Sequence, residues 1–165
     1  MDNRQITILG VGNYLYTDEG VGIRVIEKLE QDYEFPEHVI PVDGGVLGVH
    51  LMGVISAADH LIVVDAVRNN GAPGTLYRLA GKDIPSRILA KNSLHQVDLL
   101  EALTLVKAID RSPETVIVGI EPEDIETMSL TLTKTVAAKV DDLIAMVLAE
   151  LDSLNVTYSR RNSKN

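Results

Sequence analysis

The stretch Ile6-Thr-Ile-Leu-Gly10-Val-Gly12-Asn-Tyr-Leu-Tyr-Thr17-Asp-Glu-Gly-Val-Gly22 reads as strand, glycine turn and helix. Ile6 to Leu9 form a short apolar, β-branched run stopped by glycine, the pattern of a strand buried on both faces. Gly10 and Gly12 let the backbone turn sharply. After the turn Thr17 is positioned to cap a helix whose apolar residues Val21, Val25, Ile26 and Leu29 recur at helical spacing, with Asp18 and Glu19 in its first turn. This is the opening of an α/β domain.

Outward from it the alternation continues. The first helix is expected to run from Gly22 to about Tyr33, where Phe35-Pro36 breaks it, and His38 to Val42 make a second strand closed by Asp43-Gly44-Gly45. Leu47 to Ala57 carry Leu47, Leu51, Val54 and Ile55 on one helical face. His60-Leu-Ile-Val-Val-Asp65 is the clearest buried strand, four aliphatics ending on a carboxylate. A loop follows, then Thr75 to Leu79 as an antiparallel edge strand. The weakly patterned chain from Ala80 to Leu94 is expected to pass irregularly over the sheet's carboxyl end, with His95 at its exit. Gln96 to Ile109 read as a third helix, Thr115 to Ile120 as a further strand, and Thr131 to Leu151 as one long amphipathic helix. The expected fold is a three-layer, doubly wound, mostly parallel twisted sheet with helices on both faces and an antiparallel edge strand. Residues 1–152 form its single domain, and the polar tail 153–165 is expected to fray.

Composition narrows the chemistry. With 165 residues, 45% of them hydrophobic, the chain can bury one core. A formal charge of −9 disfavours nucleic acid and anionic membrane as partners and tolerates a cation or a basic protein surface. Without cysteine there is no thiolate nucleophile and no zinc–thiolate site, so any metal rests on oxygen and nitrogen ligands. Neither a leader-like start nor an apolar run of membrane-spanning length is present in the sequence, and the expected setting is cytoplasmic.

Two chemistries compete for the glycine turn. Gly-x-Gly after a buried strand suggests a dinucleotide pyrophosphate, with Asp43 holding a ribose, but Leu15 stands where the third glycine belongs. Asp18 and Glu19 also place negative charge where a phosphate would sit. The rival is a carboxylate site. If the second, first and third strands lie side by side in that order, Glu19 and Asp65 meet at the carboxyl edge of the sheet, and His95 can join them around one divalent cation. The plainer reading has Asp65 ending a strand, Glu19 compensating a helix dipole and His95 on a surface loop, and both readings stay open. His38, His50 and His60 read as surface or satisfied core residues. A Ser-His-Asp hydrolase lacks its Gly-x-Ser-x-Gly elbow. Two close carboxylates sharing a proton and activating water remain an alternative without metal.

Leu9-Gly-Val-Gly-Asn13 with Thr17-Asp-Glu-Gly20, Asp43-Gly-Gly with Gly48, Val64-Asp-Ala66, Ser93-Leu-His-Gln96 and Gly119-Ile-Glu-Pro122 together resemble the hydrogenase maturation endopeptidases, in order and spacing, over about residues 6 to 150. These proteases remove a C-terminal extension from the large subunit of nickel-iron hydrogenases. The resemblance implies that Glu19, Asp65 and His95 bind a metal in the free enzyme and meet the precursor's nickel. It also implies cutting only after nickel insertion, no permanent cofactor, occupation of the site by other divalent metals, and a nickel-loaded large-subunit precursor as partner of a free monomer. Val46 departs from the family, where many members have threonine. A non-enzymatic metal-dependent module or chaperone for the same precursor is the alternative of another class, and a nucleotide-binding protein the third. Because the match puts the ligand at Glu19, Asp18 is left with dipole compensation alone, worth about 0.3–1 kcal/mol.

Overall fold

A computed structural model describes residues 3–45, 50–84 and 103–162. The opening stretch gives β1 (Ile6–Val11), a 3-10 turn (Thr17–Gly20) and α1 (Val21–Asp32). There follow β2 (Tyr33–Glu34), β3 (Val39–Gly45), α2 (His50–Ala57), β4 (His60–Ala66) and β5 (Leu76–Ala80). Residues 103–108 are helical, and β6 (Glu114–Ile120), α3 (Lys134–Ala137), α4 (Val140–Ser153) and β7 (Ser159–Arg160) complete the described chain.

Five strands form one sheet in the order β3-β1-β4-β6-β5. The first four are parallel, and β5 runs antiparallel against β6. Each central strand alternates its aliphatics between two cores. Ile6, Ile8, Ile62, Val64, Val116 and Val118 pack with Val25 and Leu29 of α1 and Leu143 and Val147 of α4. Leu9, Leu61, Val63 and Ile117 face the other way, onto Leu51 and Ile55 of α2 and Val106 of the 103–108 helix. Burial on both faces is why these strands read as unbroken apolar runs rather than alternating ones. The doubly wound, three-layer reading and its antiparallel edge strand stand. Among the described residues no helix is long and apolar enough to cross a membrane.

Several local readings change. Thr17 caps no helix: it opens the 3-10 turn at φ +51°, its hydroxyl donates to the Thr127 carbonyl at 2.6 Å, and α1 starts from Gly20 without a side-chain cap. A β-branched residue with positive φ is a backbone outlier, held here by bonds from the distant 127–129 segment. The long helix expected over Thr131 to Leu151 is two. Thr133 caps α3 by accepting from the Val136 amide, and Ala138 and Lys139 separate α3 from α4. Val136, Val140, Ile144 and Val147 keep helical spacing through that break, so periodicity does not register it.

Within the tail expected to fray, residues 158–161 pack back onto the domain. β7 pairs antiparallel with β2, Tyr158 meets the edge of Tyr33 at 6.0 Å between ring centroids, and the Arg161 guanidinium donates to the carbonyls of Glu30 and Tyr33. The chain after β5 also departs from expectation. Because β5 is antiparallel, Ala80 pairs with Val116 near the start of β6, and residues 81–84 leave from the amino edge of the sheet, not the carboxyl edge.

Candidate active site

Four parallel strands end at the carboxyl edge, and three of them frame the candidate site. β4 ends at Asp65-Ala66 and β6 at Gly119-Ile120, paired residue for residue, and β1 delivers its glycine turn beside them. Asp65 is 4% exposed and pairs with Gly119 of β6, one residue beyond the last β1 pair at Val64, so its carboxylate is presented from a rigid element. Gly12 has φ +134°, which an L side chain rarely adopts, and its surroundings are as demanding as its torsion. A Cβ there would collide with the Glu19 carbonyl oxygen and lie 4.0 Å from Asp65 Oδ1. The backbone of Glu19 and the side chain of Asp65 therefore flank one residue. The same packing fills the place where a dinucleotide's pyrophosphate would rest on a Gly-x-Gly turn, which removes the physical basis of the nucleotide reading.

Glu19 is partly exposed on the 3-10 turn, one residue from an Asp18 that is fully buried. His95 lies outside the described residues, as do Val46 and Gly48. Among the described residues no three His, Asp or Glu make a metal-holding group; the Glu19 backbone and the Asp65 side chain both adjoin Gly12, and His95 is not among the residues described.

The expectation for Asp18 is overturned. Its Oδ2 accepts from the amides of Glu123 and Asp124 at 2.9 and 3.0 Å, and its Oδ1 from the amide of Thr133 at 2.9 Å. The Thr133 hydroxyl completes the set, 3.0 Å from Oδ2. Far from compensating a dipole at the surface, Asp18 ties the chain after β6 and the cap of α3 to the turn that carries Glu19. Its oxygens are taken by donors from the protein's own chain.

Two further residues were missed. Glu121, 6% exposed, accepts through Oε2 from the Asn69 amide and the Tyr77 hydroxyl, both at 2.7 Å, and so pins the loop after Asp65 to the ends of β5 and β6. Its signal was present: an aliphatic run ending on a carboxylate, the same pattern that singled out Asp65. Nearby, Asp124 is held below the usual carboxylate range by a side-chain hydrogen bond from Thr127, with the amides of Thr127 and Glu126 adding to it. His60 satisfies itself at the opposite edge, contacting Glu114 at 3.1 Å and Arg4 at 3.2 Å, as a core histidine should.

The family model described as hydrogenase maturation protease, HycI, matches residues 23–150. The chain belongs to the hydrogenase maturation protease family. The hydrogenase 2 maturation protease of Escherichia coli K12 is 40% identical over 149 residues, 89% of this chain and 90% of that one. The hydrogenase expression/formation protein HupM of Azotobacter chroococcum is 38% identical over 158 residues, covering 94% of this chain and 76% of its own. The solved structure of the hydrogenase maturating endopeptidase HybD from E. coli superposes with a TM-score of 0.90 at 38% identity, over 95% of this chain and 98% of that one. This maturation protease is thus an α/β peptidase, and its buried Asp65 and partly exposed Glu19 lie at the edge where such sheets place their sites.

Proposed function

We propose that the chain is the endopeptidase that removes the C-terminal extension of a nickel-iron hydrogenase large-subunit precursor after nickel has been inserted. The nickel belongs to the substrate. In this reading Glu19, Asp65 and His95 meet it as a mixed oxygen and nitrogen ligand set, leaving coordination positions for the precursor's own groups. Asp65, at the end of a central strand and paired with Gly119, supplies the charge that a cation requires and that an apoprotein lacking nickel would not engage. Cutting is thereby tied to completed metal insertion without a resident cofactor.

The observation that carries the reading is that the backbone of Glu19 and the carboxylate of Asp65 both adjoin Gly12, at the carboxyl edge of a sheet that matches a maturing endopeptidase along nearly its whole length. The test incubates the purified protein with nickel-loaded and with nickel-free precursor and follows intact mass. Loss of a C-terminal peptide only from the loaded precursor is expected. Binding without mass loss would replace the protease by a maturation chaperone, and equal cutting of both precursors would remove nickel from the recognition step.

A further inference from the structure

The turn after β1 and the chain after β6 lie side by side. Tyr16 and Ser129 form an isolated parallel bridge, the Ser129 amide donates to the Leu15 carbonyl at 2.9 Å, and the Thr17 amide donates to the Ser129 carbonyl at 3.0 Å. Five of the eight large hydrophobic residues exposed in the described chain fall on these two short segments: Tyr14, Leu15, Tyr16, Met128 and Leu130, at 37–71% exposure. Single exposed apolar residues are ordinary, whereas a contiguous set of this kind marks a contact surface.

The surface is held firmly. Asp18 anchors the 123–133 segment, the Thr17 hydroxyl holds the Thr127 carbonyl, and Arg24 of α1 donates to the Leu130 carbonyl at 2.7 Å. It is also bonded to the turn that bears Glu19: the Glu19 amide donates to the Tyr16 carbonyl at 3.0 Å, and a Cβ on Gly20 would lie 2.6 Å from Tyr14 Cα. Its rim is acidic, with Glu123 and Glu126 exposed and Asp124 ionised, while Arg24 is shared with Glu27.

We infer that Tyr14, Leu15, Tyr16, Met128 and Leu130 form the docking surface for a segment of the precursor bearing apolar side chains flanked by lysine or arginine. The inference rests on the protease reading above. Two features favour this occupant over a second copy of the chain. The surface is continuous with the turn carrying Glu19, so a segment lying on it is led towards the site. In a two-fold dimer the acidic rim of a chain with net charge −9 would face itself.

Steady-state cleavage of nickel-loaded precursor tests it, with variants Tyr16→Ser/Met128→Ser and Glu123→Lys/Glu126→Lys. Each pair should raise KM about tenfold, or about 1.4 kcal/mol, with kcat within about twofold. Ile109→Ser, at a position 60% exposed in the turn after the 103–108 helix, should leave both constants unchanged. If Tyr16→Ser lowers thermal stability, Met128→Ser alone serves, since its side chain is 71% exposed. An unchanged KM in both pairs overturns the inference, as does a wild-type dimer in sedimentation that Met128→Ser dissolves without affecting KM. Wild-type protein that cuts nothing would count against the protease reading instead. Equilibrium binding of the same precursor to wild type and to Tyr16→Ser/Met128→Ser would then judge the surface by itself, with about tenfold weaker binding expected and equal binding overturning it.

Discussion

At the amino edge of the sheet, ionisable groups meet ionisable groups: His60 lies between Arg4 and Glu114. At the carboxyl edge Asp18 and Glu121 are as deeply buried, yet they accept from backbone amides and hydroxyls. Neutral donors stabilise a buried carboxylate without cancelling its charge, which in the proposed reading favours a cation brought from outside. The amino edge pairs charge with charge; among the described residues of the carboxyl edge, Asp18 and Glu121 are held by neutral donors on the segments next to Glu19 and Asp65.

Asp65→Asn should break the contrast most completely. It preserves size and removes the charge, so cleavage of nickel-loaded precursor should fall at least about a hundredfold, with circular dichroism and melting close to wild type. Asp18→Asn should show its effect in stability. An amide turns one acceptor oxygen into a donor that faces backbone N–H groups, leaving buried donors without a partner and costing about 2–4 kcal/mol in denaturant unfolding. A loss below about 1 kcal/mol would restore the dipole-compensation account.

A smaller effect concerns pH. Because the Asp124 carboxyl is depressed in the folded protein, its contribution is fully present above the unfolded value near 3.9 and is lost as pH falls through the lower folded value. Acid unfolding of Asp124→Asn should therefore be less steep than that of wild type below about pH 4, and indistinguishable from it near neutrality in slope against pH. The smallest effect belongs to the amino edge. Glu114 is 83% exposed, so Glu114→Gln should alter stability by no more than about 0.5 kcal/mol and leave the cleavage rate unchanged.

How much was legible follows from whether partners were near in sequence. The strands could be read because each is an aliphatic run buried on both faces, and the carboxyl edge could be read because parallel strands place their ends together. Asp18 could not. Its donors lie 105 to 115 residues away, while its immediate neighbours suggest an ordinary helix start. The tail misled for the same reason: Tyr158 is one aromatic in a polar segment until the fold brings Tyr33 and Phe35 to it. Glu19 was separated from Asp18 by family resemblance, and the hydrogen bonds of Asp18 now supply an independent physical ground for the choice.

The central claim is that Glu19, Asp65 and His95 converge on one ion. A crystal structure of the protein soaked with zinc or cadmium, supported by titration calorimetry, tests it directly. The account predicts a single ion about 2.0–2.3 Å from a carboxylate oxygen of Glu19, a carboxylate oxygen of Asp65 and a ring nitrogen of His95, with binding weakened at least about tenfold by Asp65→Asn. An ion held elsewhere, or side chains more than about 4 Å from any common point, would contradict it.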